Sequence, residues 1–157
     1  MTTMRARARR VEFVTLDDAD ARSFLARHHV GRLAYTFHDR VDIEPINFTV
    51  DDDWILGRTS IGTKLSRLAH LPWCAFEVDE VWSPLAWTSV VVKGTFYLLD
   101  AESGSPDVYA RAVKSARSLT PDAFTDDDPA PHRNVLFGIY INEVTGRSAR
   151  PPDGHPS

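Results

Sequence analysis

The stretch from Gly57 to Leu68, GRTSIGTKLSRL, concentrates residue types that hold an anion. Gly57 and Gly62 frame the hydroxyl residues Thr59 and Ser60, and Thr63 and Lys64 follow the second glycine. The order is wrong for a triphosphate loop. There the lysine directly follows the second glycine and reaches the β- and γ-phosphates, and the next hydroxyl holds magnesium. Here Lys64 comes one residue late, a rotation of about 100° on a helix, and Leu65 has no hydroxyl. The stretch can still hold a phosphate monoester. The first N–H groups of a helix are unpaired, and the helix dipole favours an anion there. Gly62 lets backbone approach a ligand closely. Arg58 offers a two-pronged guanidinium, Ser60 and Thr63 offer hydroxyls, Lys64 adds a second positive charge, and Thr59 can bond through backbone or side chain. The plainer alternative is an ordinary helix start, capped by Ser60 or Thr63, with Arg58 and Lys64 as surface charges.

No other set of residues in the chain carries comparable chemistry. His28 and His29 point to different sides of a helix, and His38, His70, His132 and His155 are scattered without ligand spacing. Asp126, Asp127 and Asp128 lack the calcium-loop pattern. No G-x-S-x-G elbow is present, which argues against a hydrolase. The single cysteine, Cys74, excludes an intrachain disulfide and a thiolate metal cluster. Within the apolar run WCAFEV it reads as an inert buried thiol.

The elements that must position the loop come from a chain of 157 residues, one domain in size. Its apolar fraction of 43% and charged fraction of 25% are those of a globular protein. The net charge of −4 argues against a general nucleic-acid binder. The exception is the run Arg5, Arg7, Arg9 and Arg10, read as a solvated arm or as a handle for an anionic partner. No apolar stretch reaches membrane-spanning length, and no apolar segment follows the arginines as in a secretory signal. A reducing cytoplasm is the simplest compartment.

Spacing predicts a helix over Asp17–His28, with Ala21, Phe24, Leu25 and His28 on one face. Strands are expected over Val30–Phe37 and Val41–Val50, joined as a hairpin, and over Trp54–Thr59. Pro45 cannot donate to a ladder, so the second of these strands is an edge or is bulged. A helix after Gly62 stops before Pro72. Further strands are WCAFEV, the long Trp87–Leu99 with an apolar face and a mixed face, and Asn134–Ile141, with a helix over Pro106–Leu119. About six strands and three helices, paired mostly with sequence neighbours, make an α+β fold around a largely antiparallel sheet or barrel. Residues 1–12 read as a flexible basic arm, 13–149 as the domain and 150–157 as a disordered tail.

In that order, GRLAYTFHDRVDIEPINFTV, WILGRTSIGTKLSRL, WCAFEVDE and WTSVVVKG resemble the pyridoxamine 5′-phosphate oxidase-like flavoproteins, the FMN-binding split β-barrels. The resemblance covers Val30 to Leu99 and the strand ending at VTGRSA, and R-T-S-x-G-T-K-L is its most specific piece. It implies that Arg58, Ser60, Thr63 and Lys64, with Thr59 beside them, hold the FMN phosphate. Main-chain groups near Ile46 and Asn47 would meet the polar edge of the isoalloxazine. It implies a homodimer with flavin at the subunit interface, where Trp87 and Ser89 are candidates for the second wall; core packing is the alternative for Trp87. The activity implied is an FMN-dependent oxidoreductase using a reduced nicotinamide or similar donor on a small molecule. Relatives that use the deazaflavin F420, and flavin- or haem-binding sensors, are the alternatives. The arginine–histidine substrate motif of the vitamin B6 enzymes has no counterpart near Arg147 and Arg150.

Overall fold

The computed structural model describes residues 10–60, 62, 68, 71–102 and 105–152. The strands are β1 (Glu12–Leu16), β2 (Val30–Phe37), β3 (Arg40–Asn47), β4 (Thr49–Asp51), β5 (Trp54–Thr59), β6 (Trp73–Ser83), β7 (Ala86–Leu99) and β8 (Val135–Arg150). Two helices are among the described residues, α1 (Asp18–Ala26) and α2 (Pro106–Leu119). The helix expected after Gly62 lies outside the described residues, apart from Gly62 itself and the buried Leu68.

Every strand pairing is antiparallel, and the sheet order is β3-β2-β6-β7-β8-β5-β4, with β1 added beside β8. One residue explains the architecture. β3 and β4 stand at opposite ends of this order, yet only Phe48 separates them in sequence. A single residue cannot cross a flat sheet of this width, because consecutive Cα atoms are about 3.8 Å apart. The sheet must therefore curl until its two ends meet, which makes a barrel split at a seam. Phe48 plugs that seam, fully buried and edge-on to Phe76 with ring centroids 4.8 Å apart. Its N–H donates to the His29 carbonyl at 3.0 Å.

The α+β, mostly antiparallel expectation agrees with this fold, with differences in detail. Eight strands replace the six expected. The run read as Val41–Val50 is two strands, broken where the chain crosses the seam. β8 continues to Arg150 past a register shift opposite Lys93 and Gly94. β1 is additional and pairs with the end of β8, Glu12 against Arg150, so the chain at both proposed domain edges is in strand.

Alternation along the strands fills the barrel. Val90, Val92 and Phe96 of β7 point inward with Leu33, Phe76, Ile55 and Ile139. The opposite side of β5 and β8 is covered by α2, where Leu56 and Leu136 meet Val108, Ala112 and Ala116. Arg111 ties α2 to the end of β4, with Nε donating to Asp51 Oδ2 at 2.7 Å and Nη2 to its carbonyl at 3.0 Å. α1 is capped by Asp17, whose carboxylate accepts from the Asp20 N–H at 2.7 Å, and buries Ala21, Phe24 and Leu25. The helix stops at Ala26, two residues short of the expected His28, which lies beyond the cap: its Nδ1 meets the Phe24 carbonyl and Nε2 meets Glu80 Oε1, each at 2.6 Å. No helix is long and apolar enough to cross a membrane among the described residues.

Candidate functional site

A cleft of about 420 Å³ opens along the seam. Its walls are the last residues of β3, from Glu44 to Asn47, and the end of β5 with the residue after it, Arg58, Thr59 and Ser60. His132 and Arg133, from the loop before β8, close it. The structure thus brings together Ile46, Asn47, Arg58, Thr59 and Ser60. Thr63 and Lys64 lie outside the described residues. β3 is a sheet edge, so its outward backbone groups lack a ladder partner and face the seam. Pro45 stands where an edge strand tolerates it.

Gly57 allows the two walls to approach. A Cβ at this position would lie 2.5 Å from the Phe137 ring and 2.8 Å from the Asn47 carbonyl oxygen. Gly57→Ala is therefore expected to cost about 1–3 kcal/mol in urea unfolding and to push the Asn47 wall outward. A cost near zero would show that the walls have slack. Gly62 differs: it is exposed, and a Cβ there would meet nothing within 4 Å.

Arg58 is held more firmly than the sequence suggested. Nη1 and Nη2 donate to the two carboxylate oxygens of Asp128, at 2.6 and 3.0 Å, and Nη1 also reaches the Arg133 carbonyl at 3.4 Å. The pair is nearly dry, with side chains 10% and 3% exposed. The guanidinium carbon lies 5.4 Å from the centre of the Phe124 ring. The Asp128 carboxylate also accepts from the N–H groups of Phe124 and Ala130, at 2.8 and 2.9 Å. Phe124 adopts a left-handed φ of 66°, uncommon for a bulky residue. The hydrogen bonds from Arg58, and then that from Phe124, hold the Asp128 carboxyl well below the usual carboxylate range. A guanidinium has five N–H donors. The Asp128 fork uses its end, and among the described residues Nε–H and the second hydrogen of Nη2 have no partner. Those two form a second, side-on fork.

Trp87 and Ser89 are not part of this cleft. They lie on the outward face of β7, where Ser89 Oγ donates to Glu77 Oε1 at 3.2 Å and half-buried Trp87 is flanked by Val81 and Ala149. Burial and the neighbouring Asp79 push the Glu77 carboxyl upward, and Arg32 Nη1 lies 3.3 Å from Asp79. Cys74 is buried, and burial raises its thiol to about 12, which removes it as a nucleophile at neutral pH. No metal-binding group of histidine, cysteine and carboxylates occurs among the described residues.

Sequence reasoning missed Asp128, His132 and Arg133. In the sequence Asp128 stands only among three aspartates that lack the calcium-loop pattern, and its partner lies 70 residues away. The single available signal was the need of a β-strand-end arginine for a buried counter-charge.

Comparison with known proteins supports the architecture. A FAD-binding protein from Mesorhizobium loti superposes with a TM-score of 0.71 at 23% identity, covering 87% of this chain and 98% of that one. A FAD-binding protein from Mycobacterium smegmatis gives 0.62 at 23% identity, covering 85% and 98%. A conserved protein of unknown function from Corynebacterium diphtheriae gives 0.67 at 27% identity, covering 87% and 98%. Among curated proteins none matches the chain. The family model described as pyridoxamine 5′-phosphate oxidase matches residues 17–148, from the start of α1 almost to the end of β8 and including the whole seam, so the chain belongs to the pyridoxamine 5′-phosphate oxidase family.

Proposed function

We propose that this protein is an FMN-dependent oxidoreductase that acts on a small molecule with electrons from a reduced nicotinamide or similar donor. The observation that carries the reading is the seam cleft. A guanidinium fork on Arg58 that has no partner among the described residues converges with the hydroxyl residues Thr59 and Ser60 beside the edge strand β3. That set suits a terminal phosphate at one end and a flat, polar-edged ring along β3. The volume of about 420 Å³ is in the range of small-molecule and cofactor sites. Support also comes from the family and from the FAD-binding neighbours, and the proposed phosphate cradle, read as holding one phosphate, favours a monoester. Thr63 and Lys64 complete the cradle in this reading.

When bound, the flavin supplies the hydride and electron transfer. The chain supplies binding and orientation. Arg58, Thr59 and Ser60 fix the phosphate end, and the backbone near Ile46 and Asn47 offers hydrogen bonds to the ring edge. No side-chain acid or base is required.

The working form in this proposal is a homodimer. The outward sheet face exposes Val41, Ile43 and Trp73 at 72%, 66% and 68%, beside an apolar groove of about 530 Å³. A patch of this kind supports a protein–protein contact, and in this reading a second copy would bring its own Trp87 and Ser89 toward the cleft. A cytoplasmic location is consistent with the lone thiol of Cys74.

The test is the absorbance spectrum of purified protein, followed by mass spectrometry of the released ligand. Flavin bands, bleached by a reduced nicotinamide or dithionite, and FMN as the released mass are expected, with one flavin per subunit of a dimer by sedimentation. A protein that stays colourless after incubation with FMN refutes the reading.

A further inference from the structure

Among the described residues, which do not include Lys64, the Arg58 end of the cleft carries little net positive charge. Asp128 meets Arg58 through two short hydrogen bonds and cancels its charge. Arg58 can then serve an anion through the geometry of its free fork, while contributing little net charge. Arg133 stands beside it. Its carbonyl oxygen accepts from Arg58 Nη1, and its N–H donates to the Ala130 carbonyl at 3.0 Å. Ala130 is itself fixed, because its N–H donates to Asp128 Oδ1 at 2.9 Å. One carboxylate therefore sets both Arg58 and the turn that carries Arg133. Arg133 lines the seam cleft and also a second cleft of about 370 Å³ on the α2 side of Arg58. The Arg22, Arg32 and Arg111 guanidiniums are paired with carboxylates. That of Arg133 has no such partner among the described residues, and the residue is exposed.

We propose that Arg133 is a specificity-determining residue of the cleft, whose guanidinium supplies the charge for a terminal phosphate that Asp128 withdraws from Arg58. The inference rests on the flavin reading above. It assigns discrimination between a phosphorylated flavin and its dephosphorylated form to the loop before β8, in addition to the strand-to-helix stretch.

Fluorescence titration of the full chain with FMN and with riboflavin tests it, since riboflavin has the same ring and side chain without the phosphate. Arg133→Gln is expected to weaken FMN by about ten-fold, the scale of one charge-assisted hydrogen bond, and to leave riboflavin unchanged. The salt dependence of FMN binding should flatten with it, and Arg133→Lys should recover part of the loss. Wild-type affinity for FMN in Arg133→Gln overturns the assignment and leaves the flavin reading intact. Equal losses for FMN and riboflavin make Arg133 structural and overturn it as well. If the wild-type chain binds neither flavin, the flavin reading fails and this inference fails with it.

Discussion

Arg58→Lys is expected to fold and to lose about ten-fold in FMN affinity, whereas Arg58→Ala loses both affinity and stability. The difference follows from the two jobs the guanidinium does. One fork is committed to Asp128, and the other has no partner among the described residues and is assigned here to a phosphate oxygen. Lysine keeps a positive charge for the buried carboxylate, but it is a single point and cannot present two planar forks. A hydrogen bond to a charged group contributes about 1.5–3 kcal/mol, so losing the ligand fork lowers affinity by about ten-fold or more. Alanine removes the counter-charge too and leaves a carboxylate buried without it, which is strongly unfavourable. The stability loss carries a pH signature. The Asp128 carboxyl is held far below its unfolded value, so the unfolded chain takes up the proton first as pH falls. The stabilisation is complete above about pH 4, the unfolded carboxyl range, and is lost progressively below it. The melting-temperature gap between wild type and Arg58→Ala should be wide at neutral pH and should narrow as pH falls below about 4. An Arg58→Lys protein that binds FMN as wild type does would show that the side-on fork is unused.

Legibility in the sequence followed the range of the interactions involved. β2, β5 and α2 match their expected limits because each is bounded locally: β2 by the tight turn at His38 and Asp39, β5 by Asp51–Asp53 before it and Ser60 after it, and α2 by the Ser105 cap. β7 shows the expected inward and outward alternation as far as Phe96. The end of β8 was legible only through the resemblance, which includes a strand ending at VTGRSA; in the residue pattern Arg147, Ser148 and Arg150 have no apolar period, and they are held by pairing with β7 and β1. The break at Phe48 was hidden for the opposite reason. An uninterrupted strand-like run spans it, and only closure of the sheet forces the chain to change partners there. Of the residues that line the cleft, Arg58, Thr59 and Ser60 are singled out by the loop's composition, although spacing alone favours the plainer helix start, and Pro45 flags the edge beside them. The Asp128 clamp does not, because an acidic loop with a proline looks the same whether it is solvated or folded over a guanidinium. Trp87 and Ser89 were named through resemblance alone, and one chain by itself does not carry them to the cleft.

Phe48→Ala is expected to cost about 3–5 kcal/mol in urea unfolding, the usual scale for deleting a buried phenylalanine side chain. The position makes a value at the upper end reasonable. Phe48 is fully buried against Phe76, and its neighbours on either side belong to the two ends of the sheet. Collapse around a cavity here would have to move both ends, and its N–H is already bound to His29. The loss should also reach function. Asn47 and Ile46, immediately before Phe48, form the β3 wall of the cleft. A seam that loosens therefore displaces the backbone groups assigned to the ring edge, so riboflavin and FMN affinities should fall together. This is the reverse of the Arg133 pattern, in which only the phosphorylated flavin is affected. Phe48→Leu, which keeps most of the volume, should restore the larger part of the stability and the flavin affinity with it. A cost below about 1 kcal/mol for Phe48→Ala would mean that the plug is dispensable. The meeting of the two sheet ends would then rest on the remaining core contacts.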